Sequence, residues 1–291
     1  MTEAGGFAFV GQPLDRAEHL REDRAALAAL WTGGRVLVLD ADGRARAHPD
    51  GGLDAMPAAQ VAADPGEAVF LGLRGGEGWF ALAADPAPAA DAIDLRTAAA
   101  TCSVFEATAF AQARAVLHWR ARHRFCGACG HALDWARAGW LGRCAGCGLE
   151  HYPRTDPAVI VAVSDGERLL LGRQPGWPPR RYSVLAGFVE PGESLEQTVV
   201  REVFEESAVR VRACRYLASQ PWPFPSSLML GFEADAAGDT PVTSDELEDA
   251  RWFTRDEVGA ALRGDSGDAG LLLSPAISIS RWLIARWHAA G

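Results

Sequence analysis

Glu202, Glu205 and Glu206 stand within five consecutive positions. On a helix Glu202 shares a face with Glu206, four residues on, and with Glu205, three residues on. Carboxylates crowded in this way repel one another unless a cation stands among them, and hard divalent ions such as Mg²⁺ and Mn²⁺ take oxygen ligands of this kind. The same face can also be merely solvated. Arg201 precedes Glu205 by four residues and can orient it. A second constellation is soft. Cys126-x-x-Cys129 and Cys144-x-x-Cys147 are separated by fourteen residues, and each pair sits among glycines, at Gly127 and Gly130 or Gly146 and Gly148. Tight knuckles of this type aim four thiolates at one ion, the arrangement of a closed tetrahedral zinc site. Such a site contributes folding energy and geometry, not hydrolysis. An iron–sulfur cluster or a vestigial ribbon are the other readings.

Particular elements must carry these groups. Ser194 followed by Gln197 has the form of a capping box, so the glycine-rich turn at Gly187 feeds a helix. Val199, Val203 and the ring of Phe204 are expected on its buried side. Upstream, AVIVAV (158–163) and RLLLGR (168–173) around the turn 164–167 read as a hairpin, and YSVLAG (182–187) as the strand that delivers the chain to the turn. A closing helix is expected near Ser274 to His288. In the first hundred residues RVLVLD and RARAH flank the turn 41–43, and AVFLGL and WFALAA flank the turn 74–78. Two hairpin-like units predict a small sheet domain without clustered acids. Ala84 to Ala92, rich in Ala, Pro and Asp, reads as a connector. Phe105 to His123 is helical, with Phe110, Ala113, Val116, Leu117 and Trp119 spaced as a buried stripe.

The 291 residues suffice for two domains, and a net charge of −10 argues against a broad phosphate-binding surface, so any nucleic-acid substrate is expected to be gripped at one end. The N-terminal stretch has neither a basic lead nor a sustained apolar core, and the longest apolar runs are strand-sized, so a soluble protein is expected. Cysteines paired as C-x-x-C suit metal binding in a reducing compartment, which predicts the cytoplasm.

Gly187, Glu193, Arg201, Glu202, Val203, Glu205, Glu206 and Val209 stand at the spacing of the Nudix box, and the stretch resembles that signature of hydrolases that split a diphosphate linked to another moiety. The departure is Ala208, where the family has Gly. Further on, Ser219 to Met229 reads SQPWPFPSSLM. Three prolines interleaved with Trp222 and Phe224 are unsuited to a central strand. The aromatics can stack on a base or nicotinamide ring, or simply pack inward. SQPWPFP, the four-cysteine ribbon and the Nudix box, in this order of domains, resemble the NADH pyrophosphatase (NudC) branch of the family.

That resemblance implies an α/β fold: a Nudix α/β/α sandwich (154–291), preceded by a linker helix and four-cysteine zinc ribbon (104–153) and an N-terminal degenerate Nudix-like α+β domain (1–103). It implies hydrolysis of the diphosphate of NADH or NAD⁺ to AMP and nicotinamide mononucleotide, and removal of the NAD cap from RNA 5′ ends. Glu202, Glu205 and Glu206 would hold Mg²⁺ or Mn²⁺, with the Ala186 carbonyl and Glu246, and Cys126, Cys129, Cys144 and Cys147 would hold zinc. Glu206 would be the base and Arg201 would orient Glu205. Gln220, Pro221, Trp222, Pro223, Phe224, Pro225, Ser226 and Ser227 would line the dinucleotide, and Tyr152 and Phe188 would flank the nicotinamide. Ser280 matches a substrate-contacting position that is usually Ala, and Gly139 stands where relatives can carry a substrate-touching acid. A homodimer is implied, with Tyr152 reaching the partner's pocket. An ADP-ribose hydrolase and a nucleotide-sensing regulator are the alternatives. SQPWPFP disfavours the first, and the intact carboxylates and acidic charge disfavour the second.

Overall fold

The computed structural model describes residues 6–49, 51–61, 64–84, 92–243, 245–265, 267 and 270–291. The interior of the expected connector Ala84 to Ala92 lies outside the described residues. The chain divides into two compact units, one made of Phe9–Thr155 with Trp222–Ser226, the other of Met1–Ala8, Asp156–Pro221 and Ser227–Gly291.

The first unit begins with α1 (Arg24–Thr32) and continues through β1 (Arg35–Leu39), β2 (Ala45–Arg46), β3 (Met56–Pro57), β4 (Val69–Arg74), β5 (Glu77–Ala83) and β6 (Ala92–Ile93). These six strands form one sheet in the order β4-β5-β1-β2-β6, with β3 against β1. Both expected hairpins form, β1 with β2 and β4 with β5, yet RARAH contributes only Ala45 and Arg46 to its strand. Val36, Val38, Phe70 and Phe80 make the core with Leu27 of α1. Next come α2 (Leu95–Thr101) and α3 (Val104–Arg122). Ser103 and Glu106 close a capping box at the start of α3, and its predicted stripe from Phe110 to Trp119 is buried. The strands β7 (Leu133–Ala136), β8 (Leu141–Cys144) and β9 (Glu150–His151) form a separate antiparallel sheet around the cysteines.

The second unit is built on β10 (Asp156–Ser164), β11 (Arg168–Arg173), β12 (Arg181–Tyr182), β13 (Leu185–Phe188), α4 (Leu195–Ser207), β14 (Val211–Trp222), β15 (Ser227–Ala236), β16 (Asp249–Thr254), α5 (Arg255–Arg263), β17 (Leu272–Leu273) and α6 (Ile279–Ala289). Its mixed sheet runs β14-β15-β10-β11-β16, with β13 paired to β10 and with β10 parallel to β15. Successive residues of a strand face opposite sides, and β10 is buried on both. Val159, Val161 and Val163 pack with Val199 and Val203 of α4. Ile160 and Ala162 pack with Val258 of α5 and Ile279, Leu283 and Ile284 of α6. Three layers result, helix on sheet on helices. The continuous apolar run AVIVAV is what a doubly covered strand requires.

Two local expectations change. Phe204 is 53% exposed, because the buried stripe of α4 runs through Val199, Val203 and Ser207, and Phe204 stands one step of about 100° round from Val203 on the flank that also carries exposed Val200. The Ser219 to Met229 stretch is no free extended loop: β14 runs through Trp222, residues 223–226 turn, and β15 begins at Ser227. β14 lies at the sheet edge, where proline is tolerated.

Ala208 ends α4 with φ +56° and ψ +14°, the left-handed region, while its N–H donates to the Phe204 carbonyl at 2.7 Å. A Cβ there costs about 1 kcal/mol, which glycine avoids. Ala208→Gly is therefore expected to stabilise the chain by up to about 1 kcal/mol after the entropy that glycine gains on unfolding. An unchanged or lower denaturant midpoint would refute this account of the helix end.

Candidate active site

Helix α4 starts where Ser194 accepts from the Gln197 N–H and the Gln197 side chain accepts from the Ser194 N–H, the reciprocal cap expected from the sequence. With its start fixed, α4 carries the three glutamates into different environments. Glu205 is exposed, Glu202 is largely covered and Glu206 is only 4% exposed. Burial above all, then the charges of Glu202 and Glu246, pushes the Glu206 carboxyl up to about 8, against the Ala186 N–H that donates to it. Burial also raises Glu202, where Arg201 opposes and the charges of Glu205 and Glu246 add. Glu246, in the segment between β15 and β16, thus acts on both carboxylates through its charge. Glu206 Oε2 is buried with no hydrogen-bond partner among the described residues. An orphaned buried carboxylate oxygen beside two further negative charges suits a cation.

Arg201 is the hub of this region. Its Nε donates to Glu193 Oε1 at 2.6 Å and its Nη2 to Glu193 Oε2 at 2.9 Å, a bidentate pair. Nη1 meets Glu205 at 2.9 Å and Glu202 at 3.0 Å, and Nη2 also donates to the Phe188 carbonyl at 2.9 Å. Hydrogen bonds from Arg201, ahead of all else, hold Glu193 down to about 2. The hydroxyl of fully buried Thr198 donates to the same Glu193 carboxylate at 2.9 Å. Sequence reasoning placed Glu193 and Thr198 in no functional role. Glu193 lies in the loop before α4, eight positions from Arg201, and no helical period links them.

Gly187 has a steric reason. A Cβ built there would stand 1.8 Å from Cδ of Glu202, so the carboxylate occupies the space that a side chain would need. Gly187→Ala is expected to displace Glu202 and lower kcat roughly tenfold, less than the ~10² of a full 1 Å misplacement because the flexible glutamate absorbs part of the shift. Wild-type kcat in this variant would show that the Glu202 position does not matter.

The cysteines converge more tightly than the acids. All four Sγ atoms lie within 4.8 Å of one another, and among the described residues this is the one group of three or more potential ligands that close. Cys126 and Cys147 are 3.7 Å apart and Cys129 and Cys144 3.3 Å. A tetrahedron with Zn–S bonds of about 2.3 Å has edges of about 3.8 Å, so the set fits zinc. The two knuckles are alike. Gly130 and Gly148 both take φ +76° and donate their N–H to the carbonyls of Cys126 and Cys144. The N–H groups of Cys147 and Gly146 point at Cys144 Sγ at 3.4 Å, and the Cys147 contact above all favours its thiolate, lowering it to about 6.

Comparison with known proteins decides the family. Residues 154–273 match the NUDIX domain, 121–152 the NADH pyrophosphatase zinc ribbon domain and 16–119 the NADH pyrophosphatase-like rudimentary NUDIX domain. A Mycobacterium tuberculosis protein named NAD-capped RNA hydrolase NudC is 44% identical over 291 residues, covering 94% of this chain and 92% of its own. The chain belongs to the NudC family of Nudix hydrolases. The NudC protein of Stutzerimonas stutzeri is 54% identical over 144 residues, 49% of this chain and 52% of its own. Human NAD-capped RNA hydrolase NUDT12 is 44% identical over 193 residues, 62% of this chain and 42% of its own.

The residues that resemblance to the NudC family singled out fall into several places. Phe188 is 58% exposed at the end of β13, in the unit that carries α4. Gln220 is fully buried, and its amide is spent on backbone: Nε2 donates to the carbonyls of Ala8 and Ile277, and Oε1 accepts from Ile279 at the start of α6. Ser280 is buried, with its hydroxyl 2.8 Å from that of Ser183. Tyr152 lies in the other unit, 58% exposed, and donates to Glu150 at 2.6 Å. In that unit too, Trp222 and Phe224 stack edge to face at 5.0 Å, near Phe9 and beneath the Arg96 guanidinium. Pro223 is buried, while Pro221 and Pro225 are exposed and Ser226 and Ser227 half-buried. Among the described residues no helix is long and apolar enough to cross a membrane.

Proposed function

We propose that the chain hydrolyses the diphosphate of NADH and NAD⁺ to AMP and nicotinamide mononucleotide, and removes the NAD cap from RNA 5′ ends by the same cleavage, since the RNA merely extends the AMP half. The observation that carries this reading is the 44% identity along almost the whole of a NAD-capped RNA hydrolase, with the Nudix-box acids all present. Glu202, Glu205 and Glu206, with Glu246 and the Ala186 carbonyl, would hold Mg²⁺ or Mn²⁺. The support is the orphaned Glu206 oxygen and the unneutralised charge about it. A bound divalent ion supplies charge neutralisation on the phosphates and a more acidic water.

The chain's own residues supply the rest. Glu206 accepts the proton of the attacking water. Arg201, clamped by Glu193, holds Glu205 in place and does not touch the scissile bond. Gln220 ties β14 to the start of α6 and so sets where the turn 221–227 stands, while Trp222, Phe224 and Phe188 offer ring faces to the dinucleotide with Tyr152. Ser280 serves that wall through backbone, its hydroxyl being engaged. Zinc at the four cysteines stiffens the ribbon. The expected domains, 1–103, 104–153 and 154–291, belong to the same reading, supported by the spans of the three family matches. So do a cytoplasmic location, supported by the cysteine usage, and a homodimer, supported by exposed Leu149 and Tyr152 on and beside the ribbon.

The test is purified protein with Mn²⁺ and, in parallel, NADH, NAD⁺, NAD-capped RNA and ADP-ribose. AMP from NADH and a 5′-monophosphate from capped RNA are expected. Turnover of ADP-ribose alone would replace this reading.

A further inference from the structure

The net charge of −10 hides a strongly basic strip. After Glu106 no acid occurs in α3 or up to Phe125, whereas Arg114, His118 and Arg122 recur every four residues and so line one face of the helix. The spacing from Arg114 to Arg122 covers about 12 Å. These cations are felt by one another. Burial first, and then the charges of Arg114, Arg122 and His123, lower His118. Arg114 is lowered by burial and then by Arg96, with Asp94 the acid that opposes. Neither Arg96 nor Arg114 forms an ion pair among the described residues.

Both ends of the strip carry aromatic rings. At one end Arg96 and Arg114 lie over Phe224, at 4.1 and 5.1 Å from its centroid, and Arg114 Nη1 donates to the Pro223 carbonyl. At the other, Arg124 follows Arg122 and Phe125 is 60% exposed. A row of cations with ring faces at its ends is the chemistry that tracks a single-stranded nucleic-acid backbone and stacks its bases. A row of arginines alone would suit any polyanion. The rings narrow the choice.

We propose that the exposed face of α3, from Arg114 through His118 to Arg122 and Arg124, is the path of the RNA body beyond the cap. The proposal rests on the reading that the 5′ end of RNA is a substrate, because the strip begins at the 223–226 turn assigned there to the dinucleotide. It also accounts for an acidic protein gripping RNA: the contact is one narrow strip, and the rest of the surface repels.

The test uses the full chain and Arg122→Glu/Arg124→Glu, two exposed positions outside the proposed catalytic and dinucleotide-binding residues, with Arg122→Gln/Arg124→Gln as a milder pair. Zinc content and the thermal midpoint check that each variant folds. Binding of a fluorescent, uncapped ten-nucleotide RNA is measured by anisotropy against salt, which requires no catalysis. The Glu pair is expected to weaken binding at least tenfold, the Gln pair less. Loss of two contacts is expected to flatten the logarithmic salt slope by about 1.4. kcat/KM for NADH is expected to stay within twofold while that for NAD-capped RNA falls at least tenfold. Equal binding by wild type and variants, no binding by wild type, or equal displacement by polyglutamate of the same charge overturns the strip. If wild type binds RNA through the strip but cleaves neither NADH nor capped RNA, the function fails and the strip stands.

Discussion

Glu206→Gln is expected to leave the fold intact and lower kcat for NADH by about 10² to 10⁴, the usual cost of removing a general base. The amide keeps the shape of the side chain and can still accept from the Ala186 N–H. It cannot take a proton, and it is a poorer ligand for a hard cation. The same change makes a second, opposite prediction for stability. Burial and two like charges raise the carboxyl to about 8 in the folded chain, against 4.5 for the ordinary group. A raised carboxyl binds more protons folded than unfolded, so the stability it lends is full below the ordinary value and is lost as pH rises through about 8. Metal-free protein should therefore lose stability between about pH 4.5 and pH 8 through this group, and Glu206→Gln should remove that part of the slope. A divalent ion should do the same by neutralising the site, with a larger rise in thermal midpoint at pH 8 than at pH 6. A variant that keeps near-normal turnover removes Glu206 from the chemistry. A variant that melts like wild type at every pH removes the claim that its charge is strained.

The parts of this molecule that are legible in the sequence are those governed by short-range rules. β10 is legible because six apolar residues in a row are needed to fill both faces of a strand. The start of α4 is legible because Ser194 and Gln197 answer each other across a single turn. So are the knuckles, because C-x-x-C followed by a glycine leaves few conformations. What escapes depends on pairs distant in sequence. Nothing local announces that Glu193 is the anchor of Arg201, or that Gly187 makes room for Glu202 fifteen positions later. Gln220 looks in sequence like part of a ligand wall, yet its amide binds the chain at Ala8, Ile277 and Ile279. Trp222 and Phe224 allow two readings, stacking on a ligand or packing inward. Their half-burial near Phe9 and Arg96 arises from segments more than a hundred residues upstream. Phe204 departs from its expected burial because a stripe of about 100° is narrower than half the helix.

Removal of zinc is expected to unfold the ribbon while the α4-bearing sandwich persists. The ribbon's own buried apolar cluster consists of Cys126, Leu133 and Cys144, and two of these are ligands, so without the ion almost nothing remains to offset chain entropy. Structural zinc binding supplies about 10 to 16 kcal/mol in small peptide sites, far more than Leu133 can. The sandwich has separate cores on the two faces of its sheet and does not draw on the cysteines. Cys126→Ser should thus lose about one zinc per chain and the amide-exchange protection of β7 and β8, with protection of β10 retained. Trp135 and Trp119, whose rings meet edge to face at 5.3 Å between the ribbon and α3, should report the loss in near-ultraviolet dichroism. Chelation of the wild-type chain should reproduce both changes, and added zinc reverse them. Retained protection of β8 in a chain free of metal would mean that the knuckles hold themselves together, and the cysteines would then need another explanation.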